Sequence, residues 1–144
     1  MNVETILRNK GNAVATIRRD APLANAIEAL RHHRVGALVV SADDESVAGI
    51  VGERDIVHAL GRHGADLLTL TVADIMTSPV VTCDPADSVG ALMAEMTNRR
   101  IRHLPVVRDG RLCGIVSIGD LVKSRLDEME FEASEMRSFI AGAA

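Results

Sequence analysis

Apolar residues along the chain follow two periods, and those periods succeed one another in the same order in each half. A short β-type run at residues 13–17 leads through an Asp/Pro turn to Leu23, Ile27 and Leu30, whose i, i+4, i+7 spacing predicts a helix. Two apolar runs at 37–41 and 47–52, parted by the turn-forming cluster SADDES, predict a pair of strands, and a second helix is predicted from Glu53. The succession then returns. A run at 80–83 precedes Val89, Met93 and Met96 at helical spacing, strands are predicted at 103–107 and 112–117 around RDGR, and a helix starts at Ile118. Each half therefore reads strand, helix, strand, strand, helix.

The halves also agree position by position. Thr16 matches Thr82, Leu23 Val89, Leu30 Met96, Val35 Ile101 and Leu38 Leu104 at an offset of 66, which becomes 65 for Gly49 with Gly114 and Asp55 with Asp120. Even the lead-in segments echo, VETIL at 3–7 and VADIM at 72–76. Duplication on this scale predicts two units that bury their apolar faces against each other, because three strands with helices on one side leave apolar surface that a pseudo-symmetric partner covers. The expected class is α+β with α/β-type layers: a first repeat over 1–70 that includes the N-terminal segment, and a second over 71–125.

The last helix carries a second pattern. Val122, Leu126, Met129, Ala133, Met136 and Ile140 recur at steps of 4, 3, 4, 3 and 4, a narrow stripe suited to helix-on-helix packing. Residues 118–141 are thus read as one long helix continuing the second repeat. It either folds back on its own domain or packs on a second subunit. A span of about 35 Å, at about 1.5 Å per residue, exceeds what so small a domain needs for cover and favours the subunit contact.

At 144 residues the chain has the size of one domain, so its halves are expected to fold as one body. With no Trp, no Tyr and two Phe, the core must be built from Val, Ile, Leu, Met and Ala. A net charge of −4 and so few aromatic rings argue against nucleic-acid binding. No run of eighteen apolar residues occurs and the N-terminus lacks a secretory pattern, so a cytoplasmic location without membrane contact is expected. Cys83 and Cys113 stand alone in apolar runs and read as buried thiols, and the scattered histidines suggest no metal site.

Two segments carry candidate chemistry. In GIVSIGD, residues 114–120, Ser117 and Asp120 have capping-box spacing. The first repeat keeps Asp55 but has Gly52 in place of the capping hydroxyl, so the carboxylate recurs without its partner. A carboxylate at a strand end can accept both hydroxyls of a ribose, and the adjoining helix N-terminus offers N–H groups to phosphate. In NRRIRHLPVV, residues 98–107, Pro105 lacks an N–H, which suggests that the backbone at His103 and Leu104 faces a cleft able to read an adenine edge. Arg99, Arg100 and Arg102 bring positive charge suited to phosphate. No Ser–His–Asp order, acid–base pair or GxxxxGK[ST] loop is found, so no enzymatic activity is expected.

The doubled strand–helix–strand–strand–helix unit, RHLPVV and GIVSIGD resemble the cystathionine β-synthase (CBS) domain pair, or Bateman module, over about residues 3–123, in the manner of its small standalone bacterial members. The resemblance implies a cleft between the repeats for an adenosine-containing regulatory ligand: AMP, ADP, ATP, an NAD-type dinucleotide or sometimes S-adenosylmethionine. It also implies a homodimer forming a four-repeat disc, and signalling to a target protein by conformational change. Carried over by motif, ribose contacts fall on Ser117 and Asp120, with Ile118 and Gly119 between them, and base contacts on Thr82, Cys83, His103, Leu104 and Pro105, with Arg102 beside them. The first-repeat equivalents are Thr16, Ile17, Gly36, Ala37 and Asp55. Arg54, Arg99, Arg100 and Lys123 are further phosphate candidates. Gly52 departs from the Ser/Thr pattern and Val39 stands where the second repeat has Pro105, so unequal sites are expected, with the ligand in the second repeat. The alternative is a dimeric scaffold that recruits a partner protein and binds little or no ligand.

Overall fold

Asn2 starts the first helix, its side chain accepting the Thr5 N–H at 3.1 Å, and α1 runs over Val3–Lys10. The computed structural model describes residues 1–143, and after α1 it orders β1 (Thr16–Ile17), α2 (Leu23–His33), β2 (Ala37–Val40), β3 (Gly49–Gly52) and α3 (Glu53–His63). A 3-10 turn at Gly64–Thr69 leads to α4 (Val72–Ile75), α5 (Val89–Arg99), β4 (His103–Arg108), β5 (Arg111–Ser117) and α6 (Ile118–Ala143). β2 lies parallel to β1 and antiparallel to β3, while β4 and β5 form the second antiparallel pair.

The predicted strand at 80–83 contracts to one parallel bridge, Cys83 with Val106. Cys83 N–H donates to the Pro105 carbonyl at 3.0 Å and Val107 N–H to the Cys83 carbonyl at 2.8 Å. Pro79 and Pro85 bracket the run and supply no donors, which keeps the pairing short. The repetition extends to the backbone. Arg34 (φ 55°) and Arg100 (φ 56°) end α2 and α5 in the left-handed region, and Asp44 (φ 64°) and Asp109 (φ 52°) turn the two strand connections.

The core is not shared as the sequence suggests. One cluster joins Val3 and Ile6 of α1 to Val89, Met96, Leu104, Val106, Val116 and Leu121 of the second repeat; the other joins Val72 of α4 to Leu23, Leu30, Leu38, Val40 and Val51 of the first. The lead-in helices are exchanged. Val3 N–H donates to Asp87 O at 3.0 Å and Glu4 N–H to Pro85 O at 2.9 Å, while Val72 N–H donates to Ala21 O at 2.9 Å and Ala73 N–H to Arg19 O at 2.8 Å. Helices of eight and four residues have no stability alone, so each is held by the apolar groove it fills. The N-terminal segment, grouped with the first repeat in sequence, packs on the second.

Leu121 and Ser124 anchor the start of α6. Farther along, Leu126 is 60% exposed, Met129 50%, Met136 60% and Ile140 62%, which rules out the fold-back alternative for this helix within the chain.

Candidate functional site

A cavity of about 370 Å³ opens between the repeats, walled by Gly36, Ala37 and the start of α3 on one side and by residues 100–103 on the other, with residues 77–81 along its edge. Ala37 and His103 are equivalent positions at the start of β2 and β4. Side chains alternate along a strand, so these face the cleft while Leu38 and Leu104 face the two cores.

Thr77 is fixed by an antiparallel bridge to Ile50: its N–H donates to Ile50 O at 2.8 Å and its carbonyl accepts from Ile50 N–H at 3.1 Å. Gly49 permits this approach, since a β-carbon there would lie 2.8 Å from the Thr77 carbonyl oxygen. Asp55, half-buried in the first turn of α3, accepts the Gly52 N–H at 2.8 Å through Oδ2 and the Thr77 hydroxyl at 3.1 Å through Oδ1. A β-carbon at 52 would stand 3.2 Å from the Gly36 carbonyl oxygen, a tight but not forbidden contact.

The His103 ring packs on Gly36, where a β-carbon would stand 3.0 Å from Cε1. Burial pushes the His103 imidazole below the ordinary histidine range, against the opposing pull of the Glu53 and Asp120 carboxylates. Ile50, Pro79, Val80, Val81 and Ile101 give the cavity apolar walls, and Arg54, Arg100 and Arg102 add guanidinium groups against Glu53 and Asp55. A flat ring against the aliphatic walls, a diol on Asp55 and an anion on the arginines are the contacts such a lining can make.

The second-repeat turn is arranged differently. Ser117 and Asp120 form the capping box, with Ser117 N–H donating to Asp120 Oδ2 at 2.9 Å and Asp120 N–H to Ser117 Oγ at 3.1 Å. Lys10 Nζ lies 2.7 Å from the same Oδ2. Burial raises the Asp120 pKa, but the Lys10 ammonium and the Ser117 N–H outweigh it and hold the carboxyl below its usual range.

Of the residues singled out in the sequence, Gly36, Ala37, Arg54, Asp55, Arg100, Arg102 and His103 line the cavity, whereas Ser117, Ile118, Gly119 and Asp120 do not. Of the two repeated carboxylates, Asp55 lines this cavity and Asp120 does not. Leu104 and Cys83 lie in the second core, Pro105 is buried in β4, and Thr82 is exposed one residue beyond the lining segment. Thr16 donates to Asp44 at 2.5 Å and Ile17 packs on the first core, Arg99 pairs with Glu95 at 3.5 Å, and Lys123 is exposed on α6. Thr77, His58, Glu53 and Val80 line the cavity without having been singled out. The echo of VETIL in VADIM, which ends one residue before Thr77, was the available signal for this segment.

A family model for the CBS domain matches residues 9–62 and 72–127. The chain belongs to the CBS-domain family. A CBS-domain-containing protein of Arabidopsis thaliana, described as mitochondrial, is 32% identical over 97% of this chain and 72% of its own. Among solved CBS structures, one from Agrobacterium tumefaciens is 42% identical with a TM-score of 0.83, covering 87% of this chain and 99% of that one. A CBS-domain protein of Pyrobaculum aerophilum, complexed with AMP, is 27% identical with a TM-score of 0.77 over 92% of this chain and 99% of its own. No helix among the described residues is long and apolar enough to cross a membrane.

Proposed function

We propose that this CBS pair is a regulatory module that binds an adenosine nucleotide in the cleft at Asp55 and signals through a change in the spacing of its repeats. The observation that carries this reading is the cavity itself: a carboxylate on a helix N-terminus, three arginines and aliphatic walls meet in one volume contributed by both repeats. Ribose, phosphate and adenine each find suitable chemistry there. The AMP complex of the Pyrobaculum relative supports this ligand class. AMP, ADP, ATP and NAD-type dinucleotides all share the adenosine that the lining suits. We read the site as binding rather than catalytic, the module as cytoplasmic, and its output as directed to a separate target protein.

Calorimetric titration of the wild-type protein and of Asp55→Asn with AMP, ATP and NAD tests the assignment. Loss of about 1.5–3 kcal/mol is expected in the variant, the scale of a hydrogen bond to a charged group. Identical isotherms for the two proteins would sink it.

The exposed seam of α6 favours a second component of the same reading, a homodimer formed through that helix. It equally suits a dimeric scaffold without a ligand. Thermal denaturation separates the two, because nucleotide at about 100 times its Kd adds about 2.7 kcal/mol to a binder and nothing to an empty scaffold.

A further inference from the structure

We propose that the chain carries a single open nucleotide site because Lys10 occupies the second one from within. The inference rests on the proposed role of the Asp55 cleft, and concerns its pseudo-symmetric counterpart at Asp120.

Asp55 and Asp120 are equivalent in the repeat, and so are Ile50 and Ile115. In the first repeat the Ile50 carbonyl is satisfied by the Thr77 backbone N–H, and Asp55 meets the neutral Thr77 hydroxyl. In the second, a side chain does both jobs. Lys10 Nζ donates to the Ile115 carbonyl at 3.0 Å and to Asp120 Oδ2 at 2.7 Å. In the VETIL/VADIM echo Met76 answers Leu7, and Lys10 falls opposite Pro79, which has no charge to offer.

The lysine is well placed to stay. It ends α1, whose Val3 and Ile6 are buried in the second core, and the Gly11 N–H closes that helix on Leu7 O at 2.8 Å. The side chains of Lys10 and Asp120 are 34% and 26% exposed, so their pair is partly shielded from water. A ribose approaching Asp55 displaces a hydroxyl. At Asp120 it meets an ammonium on Oδ2, held by a charge-assisted bond about twice as strong as a neutral one. The same ammonium neutralises the carboxylate that a ribose would use, so occupancy and electrostatics act together.

Lys10→Met removes the ammonium while keeping a long, flexible side chain at the end of α1. AMP stoichiometry, measured by calorimetry on the full chain, is expected to be one per chain in wild type and two in Lys10→Met, with the added site lost on Asp120→Asn. Lys10→Arg, which keeps the cation, is expected to remain at one and guards against a folding artefact. Wild type binding two AMP per chain would overturn the inference, as would Lys10→Met remaining at one. One equivalent in wild type that survives Asp55→Asn would instead overturn the Asp55 assignment and this inference with it. No binding to wild type, together with one Asp120-dependent equivalent in Lys10→Met, would refute the Asp55 reading and uphold the role of Lys10. No binding to any of the proteins would refute both.

Discussion

Arg54 Nη1 reaches across the cleft to the carbonyl oxygen of Arg100, 3.1 Å away. The donor lies in the first turn of α3 and the acceptor at the left-handed cap of α5, so one hydrogen bond ties the repeats at the cavity. A phosphate is a stronger acceptor than a carbonyl and draws the guanidinium to itself. Arg54→Gln is therefore expected to weaken AMP binding by about 1–3 kcal/mol while leaving adenosine binding nearly unchanged. Parallel titrations with the nucleotide and the nucleoside measure the difference.

Two glycines should respond to alanine in opposite directions. At Gly49 the added carbon meets the Thr77 carbonyl oxygen at 2.8 Å and Met76 Sδ at 3.0 Å, so backbone must move and the Ile50–Thr77 bridge is disturbed. A loss of about 1–3 kcal/mol is expected. Gly90, in α5, has nothing within 4 Å of that carbon, and Gly90→Ala should add about 0.5–1 kcal/mol through helix preference and a less flexible unfolded chain. Urea denaturation of both variants reads the contrast.

His103 should make stability depend on pH. Its folded-state pKa is depressed by burial, so above the ordinary histidine value, near 6.5, both folded and unfolded chains keep it neutral. As pH falls through that value the unfolded chain takes the proton first. The stability present above it is lost progressively until the depressed folded-state pKa is passed. Denaturation curves between about pH 7.5 and 5 should show a steeper decline for wild type than for His103→Asn. Equal slopes would contradict the burial of this ring.

The two thiols should alkylate in a fixed order. Burial, reinforced by the Asp87 carboxylate, pushes Cys83 up to about 12, while Cys113 is raised but lies partly open to solvent. Iodoacetamide followed by peptide mass spectrometry is expected to find Cys113 modified first, and Cys83 only once the second core opens.

On α6, a charge placed in the exposed seam should separate subunits without loosening the globular body. Met129 is 50% exposed in the single chain, so Met129→Glu is expected to leave the thermal midpoint of a monomer intact and to convert a dimer to monomers in sedimentation. A wild-type protein already monomeric at high concentration would remove the dimer from the proposal.

Much of this fold was legible because its periods are clean. The starts of α3 at Glu53 and α6 at Ile118 fall where the strand pattern gives way to the helical one, and β4 and β5 flank the RDGR turn as expected. The partners of the lead-in helices were not legible. VETIL and VADIM have the same apolar spacing and fit either groove, and nothing local in them says that each crosses to the other repeat. For the same reason Lys10 reads in sequence as a charged helix end. Only the fold brings it to a carboxylate 110 residues away. The chemistry of the carboxylate turn was readable at Asp55 and Asp120 alike, but the ammonium that sets the two apart comes from that distant side chain.

The exchange of α1 and α4 bears on how the chain is made. As it leaves the ribosome, the first repeat lacks part of its core until residues 72–75 emerge, and α1, made before both repeats, has no groove to enter until β4 and β5 exist. Folding in order of synthesis, the usual course for tandem units, therefore completes the first repeat only with α4 and leaves α1 unpacked until the second repeat forms. α1 waits longest, and the loop it must close contains the whole first repeat.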